Sequence, residues 1–143
     1  MSDKAWITAV TPDAATALWP TVKPMFDEAM ENGNAISNSD FLISGIRECK
    51  MLLWVIFEGP EIIAACVTEI KNGNRFSALH AIVIAGKKME LWLDLLDRTL
   101  YDFGKEYKCQ FIEMTGRKGW MRTLNKIGWE FRSVTMAKEI KHG

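Results

Sequence analysis

Hydrophobic and polar positions change period several times along this chain, and each change marks an element. The run "WITAV" is short and β-rich, and the turn-like "TPD" closes it. From Asp13 the apolar residues Ala15, Leu18, Trp19, Val22, Met25, Phe26 and Ala29 recur at three and four, which predicts a helix ending at "ENGN". Pro20 and Pro24 fall inside it, and each removes a backbone donor, so a kink or restart is expected there. Ser37 and Ser39 are N-cap candidates for a second helix carrying Phe41, Leu42, Ile46 and Cys49.

The period then changes to two. "MLLWVIF", "EIIAACVTEI" and "RFSALHAIVIA" read as three strands divided by "EGP" and "KNGN", the turn chemistry of an antiparallel meander. The third run is apolar on both faces, as expected of a central, covered strand. Met89, Trp92, Leu93, Leu96, Leu100 and Phe103 then form one apolar helical stripe, with Gly104 as its expected stop. "CQFIEMT" follows as a strand reached through a helix, so it is expected to lie parallel to the 75–85 strand. A short helix from 118 and a last strand, "EFRSVTMAKEI", complete the order β-α-α-β-β-β-α-β-α-β. With no repeat, low-complexity tract or linker, residues 1–143 read as a single α+β domain with a mixed central sheet, an antiparallel meander and one parallel β-α-β crossover.

Composition narrows the function classes. The chain is 48% hydrophobic and 25% charged, and its 18 basic residues balance 18 acidic ones. No global field draws in a polyanion, so any such preference is local. Cys49, Cys66 and Cys109 are odd in number and far apart, which suits small core residues better than a disulfide framework. His80 and His142 offer no paired metal-ligand spacing, and no P-loop or Ser-His-Asp set is present. No apolar run approaches the roughly 20 residues that a bilayer span requires, and the start has no long apolar targeting region. The expectation is a cytoplasmic protein with no membrane partner.

One local basic surface stands out. Lys118, Arg122 and Lys126 are spaced by four and share a helical face, opposite Trp120, Leu124 and Ile127, and Arg117 adjoins them. A solvated amphipathic face accounts for them most simply. Phosphate is a second possibility, since arginine pairs bidentately with it. Nucleic acid is not favoured, because clustered basic and stacking residues are missing from the sequence pattern.

The element order, with "LNKIGW" at 124–129 in the last helix, resembles the GNAT superfamily of acyl-CoA-dependent N-acyltransferases, where many members end that helix in alkyl-Tyr-x-x-Leu-Gly-Phe. The 116–131 segment is most similar to small GNAT-like proteins of tailed phages, including an internal virion protein. The resemblance implies that Ile82, Val83 and Ile84 present backbone groups to the pantetheine of acetyl-CoA. It implies too that Gly86, Lys87, Lys88 and Met89, aided by Arg117, meet the pyrophosphate at a helix N-terminus. A Gly86→Glu change is then expected to block acyl-CoA. The sequence departs from the family in two places: "AGKKMEL" holds one glycine where the usual loop holds two, and Leu124 stands where a tyrosine commonly protonates the leaving thiolate.

A general base is still required for amine acylation. Glu69 and Glu113, near strand ends, are the candidate bases, while His80, placed on one face with Ile82 and Ile84, reads as a hydrogen-bonded core residue. Two expectations follow: a divergent N-acyltransferase for an unknown amine, in the bacterial host cytoplasm if phage-encoded, or an inactive GNAT-like protein that binds a macromolecular partner, in a virion for example. An edge strand leaves a dimer open.

Overall fold

The computed structural model describes residues 4–31, 37–116, 118–133 and 136–142. Nine elements follow in chain order: β1 (Ala5–Val10), α1 (Pro12–Glu31), α2 (Ser39–Arg47), β2 (Leu52–Glu58), β3 (Glu61–Asn72), β4 (Ser77–Gly86), α3 (Met89–Glu106), β5 (Phe111–Met114) and α4 (Lys118–Asn125). The strands form one sheet in sequence order. The first four are antiparallel neighbours, and β5, reached through α3, lies parallel to β4. The meander and the single crossover are as the sequence predicts.

Alternation along the strands supplies two cores. On one face Leu53, Val55, Ala65, Val67, Val83 and Ala85 meet Trp19, Val22 and Phe26 of α1 and Leu42, Ile43 and Ile46 of α2. On the other, Trp54, Ile56, Cys66, Leu79, Ala81 and Ile84 meet the α3 stripe of Trp92, Leu96 and Leu100. The two buried indoles there are satisfied locally: Trp54 Nε1 donates to Thr68 Oγ1 at 3.0 Å and Trp92 Nε1 to the Lys87 carbonyl at 2.7 Å.

A bulge in β4 changes which residues share a face. Thr68 pairs with Ala81 and Val67 with Val83, so Ile82 has no residue opposite it. Leu79 and Ala81 face α3, but past the bulge that role passes to Ile84, while Val83 and Ala85 face α1. His80 therefore shares its face with Ile82 and Val83, not with Ile84 as strict alternation predicts. The sequence carries no mark of the extra residue.

Other expectations are revised. The α1 helix runs unbroken through Pro20 and Pro24, both exposed. The carbonyls they leave unpaired, on Thr16 and Pro20, sit on the solvent side, where water replaces the lost bond. Asn38, not Ser37 or Ser39, caps α2, its side chain accepting from Phe41 N at 3.0 Å. Phe41 and Cys49 are exposed, outside the α2 core stripe. Gly104 does not end α3; it lies buried within it, where a Cβ would stand 3.3 Å from Ile112 Cγ2. The last strand is not formed in the described residues after Trp129. That segment is anchored by side chains instead of a ladder: Trp129 Nε1 donates to Asp97 Oδ1 at 2.7 Å, and the Arg132 guanidinium lies 4.1 Å from the centre of the Phe111 ring.

Gly86 closes β4 at φ +141°, opposite Ala64. A Cβ there would overlap the Ala64 methyl and come within 2.5 Å of the Ile63 carbonyl oxygen. Glycine is required by backbone packing on β3, whatever the neighbouring turn binds. Gly86→Ala is expected to destabilise the fold by about 2 kcal/mol or more, as overpacking at a strained position does. Urea denaturation measures it; a change within about 0.5 kcal/mol would contradict the packing argument.

Candidate active site

The site lies where β4 and β5 separate. Their pairing runs over four residues, from Ala78 with Phe111 to Ala81 with Met114, and stops. Beyond it β4 continues through the bulge to Gly86, so its edge from Ile82 onward has no strand beside it among the described residues. Ile82, Val83 and Ile84 border the open cleft that results, together with Gly86, Met89 and Glu113. Backbone donors and acceptors on such an edge pair readily with an extended, amide-bearing ligand.

At the top of β4, the turn from Gly86 into α3 is held by the protein itself. Lys87 N donates to the Ile63 carbonyl at 2.9 Å. Lys87 Nζ lies 3.0 Å from Glu61 Oε2, and Lys88 Nζ lies 2.7 Å from Glu58 Oε1. Lys88 also adopts a left-handed conformation, φ 58°, as it enters the helix. Both lysines thus have carboxylate partners, which lowers the net positive charge that the turn presents. Because of the Gly86 packing, a Gly86→Glu change would damage the fold before it reported on any ligand.

Just below the bulge is a cluster whose members lie far apart in sequence. Glu69 of β3 pairs in register with His80 of β4, and His80 pairs with Glu113 of β5. Three side chains thus stand side by side across three strands, on the face towards α1. His80 Nδ1 lies 3.1 Å from Glu113 Oε1, and Lys71 Nζ lies 3.9 Å from the same oxygen. Facing a carboxylate, Nδ1 carries the hydrogen and donates it, which leaves the Nε2 lone pair available. Nε2 makes no hydrogen bond among the described residues. His80 as a whole keeps a small exposure of 7%.

Burial lowers the His80 pKa from the ordinary imidazole value, and the Lys71 charge adds to that, while Glu113 and Glu69 act in the opposite sense. The net result is an imidazole held neutral and oriented. Of the predicted site residues, the fold brings Glu69 and Glu113 together around His80 and sets Ile82, Val83 and Ile84 along the open edge. Leu124 is buried and borders the cleft without a polar atom to offer. Arg122 and Lys126 are exposed on α4 and its exit. Arg117 lies outside the described residues, as does the Lys118 side chain. Sequence reasoning passed over His80 as a base, because only the strand register shows that it stands between two carboxylates.

Similar architectures occur among solved structures. An aminoglycoside acetyltransferase from an uncultured soil metagenomic sample superposes with a TM-score of 0.71 at 14% identity, over 99% of this chain and 100% of that one. Glucosamine-6-phosphate N-acetyltransferase from Arabidopsis thaliana gives 0.63 at 16% identity, over 96% and 99%. Ribosomal-protein-alanine N-acetyltransferase from Brucella melitensis gives 0.67 at 9%, over 97% and 99%. The fold is that of the GNAT acetyltransferases. At these identities the likeness establishes architecture alone, and the acceptors named are three different kinds of molecule. No family model and no curated protein matches the sequence. Among the described residues, no helix is long and apolar enough to cross a membrane, and no cluster of His, Cys, Asp or Glu is arranged to hold a metal.

The His80 environment has a measurable consequence. A histidine with a lowered folded pKa binds fewer protons folded than unfolded below about pH 6.5, so stability is complete above that value and falls as pH drops through it. NMR titration of His80 is expected to give a midpoint below 6.5, and Glu113→Gln, which removes a charge that raises it, should move it lower still. A midpoint at or above the free imidazole value would contradict this arrangement.

Proposed function

We propose that this protein is an acyl-CoA-dependent N-acyltransferase in which His80 Nε2 is the general base and Glu113 positions it. The observation that carries this reading is the contact between buried His80 and half-exposed Glu113, 3.1 Å apart, beside the point where β4 leaves β5. Acetyl-CoA, when bound, would supply an activated acyl group as a thioester. The residues fit it in part: the edge from Ile82 to Ile84 would pair with the amides of pantetheine, and Lys88 and Met89 would meet the pyrophosphate. The Glu61 and Glu58 contacts of Lys87 and Lys88 compete with that last role.

The protein's own part is proton handling. An amine arrives largely as an ammonium ion and must lose a proton to become a nucleophile. Nε2 accepts that proton, and Glu113, already accepting from Nδ1–H, stabilises the imidazolium that forms. Glu69, opposite His80, adds a second negative charge favourable to both the arriving ammonium and the imidazolium. Glu113 thus acts through His80, and Glu69 electrostatically, in place of the direct base role that their strand-end positions suggest. Leu124 supplies no proton, so no side-chain acid is assigned at that position.

A second reading has its own support. Leu124 and the carboxylate-held lysines favour a GNAT-like frame that works by binding a macromolecular partner, as the resemblance to phage proteins suggests. Both readings meet the same experiment. Acetyl-CoA titrated calorimetrically into the protein is expected to bind, and thiol release with an amine panel at pH 8 is expected to show turnover. His80→Gln should lower kcat by about 10²–10⁴-fold, with acetyl-CoA affinity retained. Absence of binding at millimolar acetyl-CoA would sink the enzyme reading and leave the binding protein.

A further inference from the structure

We infer that the acceptor is an amine carrying an anionic group on the order of 7 Å from its nitrogen, bound on the β3–β4–β5 surface directly below His80. This inference rests on the proposed acyltransferase site and extends it to a substrate class.

The register supplies the argument. Two residues towards the start of β4, the next row on the same face is Lys71, Ala78 and Phe111, paired across the same three strands. The two rows differ in character. The upper one carries Glu69, His80 and Glu113. The lower one carries Lys71, a small central Ala78 and the Phe111 ring, over which the Arg132 guanidinium is stacked at 4.1 Å. Phe111 meets Phe76 edge-to-face at 5.3 Å, and Arg75 lies 5.0 Å from the centre of the Phe76 ring. Cation, ring, ring and cation thus form a ladder of residues from the β3–β4 connection, β5 and the segment after α4.

Three features make this a binding shelf rather than a solvated edge. On β3 and β4 the buried residues packed with α1 and α2 are Ala65, Val67, Val83 and Ala85, towards the other end of the strands, so among the described residues neither helix core extends over this end of the face. Ala78 is only half-buried, and Phe76 is 43% exposed. Stacking on an aromatic face holds a guanidinium flat and leaves its N–H edges directed outward, the geometry that grips carboxylate or phosphate. Neither Arg75 nor Arg132 has an ion pair among the described residues, whereas Lys71 contacts Glu113 only at 3.9 Å.

Charge complementarity then orients the ligand. An ammonium is drawn to the row of Glu69 and Glu113, where His80 takes its proton. An anion is drawn to Arg132, Arg75 and Lys71, one row lower. Two residues of strand separate the rows by about 7 Å, which sets the spacing between the two ligand charges. The donor end of β4 lies above His80 and the acceptor end below it, so the base stands between them.

The test uses three probe amines of similar length with acetyl-CoA and the full chain: 6-aminohexanoate, 1-aminopentane and 1,5-diaminopentane. The expected kcat/KM order is acid above alkylamine above diamine, with about a tenfold step carried mainly by KM. Arg132→Gln should bring the acid-to-alkylamine ratio down towards one. A diamine equal to or better than the acid would overturn the inference while leaving the acyltransferase standing. If no probe is turned over, that failure belongs to the catalytic reading, and the shelf is judged by NMR titration without acetyl-CoA. There, 6-aminohexanoate is expected to shift the Phe111, Ala78 and Arg132 signals in wild type and much less in Arg132→Gln. No such shift, or an equal one with 1,5-diaminopentane, would end the proposal.

Discussion

The separation of β4 from β5 is the constraint on which the site depends. A central strand normally satisfies its backbone on both edges, yet among the described residues β4 has a partner on one edge along its length and on the other for four residues only. The bulge at Ile82 reinforces this, because an unmatched residue twists and bends the strand locally. An edge with open donors and acceptors is therefore kept inside the domain, where packing on both faces holds it rigid. Unpaired backbone in that position is costly unless a ligand or water completes it.

The features of the candidate site can be ordered along this strand. The tight Gly86 turn is at one end, followed by the open edge, the bulge, His80 between its carboxylates, and Ala78 on the shelf. The bulge also decides which side each residue serves. Above it Val83 and Ala85 close the α1 core; below it the same face carries His80. Ile84, which strict alternation would place with His80, is in the α3 core instead. A single extra residue thus separates a packed apolar surface from one that carries titratable side chains.

The departures from the GNAT pattern fall at the Gly86 turn and at Leu124, on either side of the His80 row. The turn that would take a pyrophosphate holds its lysines on Glu58 and Glu61, and the position of the usual tyrosine is filled by buried Leu124. Between them lies an oriented imidazole close to a strand edge that has no strand beside it among the described residues.

Much of this was legible in the sequence for a simple reason. Periodicity and turn chemistry are local, so the meander, the α3 stripe and the β-α-β crossover could be read from residues near one another, and the fold class with them. The positions of Glu69 and Glu113 near strand ends were legible on the same basis. Their relation to His80 was not, since Glu69, His80 and Glu113 come from three strands and meet only through register, which tertiary pairing decides. The bulge at Ile82, the packing that demands Gly86, the continuity of α1 through two prolines and the anchoring of Trp129 on Asp97 are likewise outcomes of contact between distant segments. The sequence by itself determined which elements form and which faces are apolar. Only the tertiary structure decided which polar side chains share a row, because strand register joins residues that the chain keeps far apart.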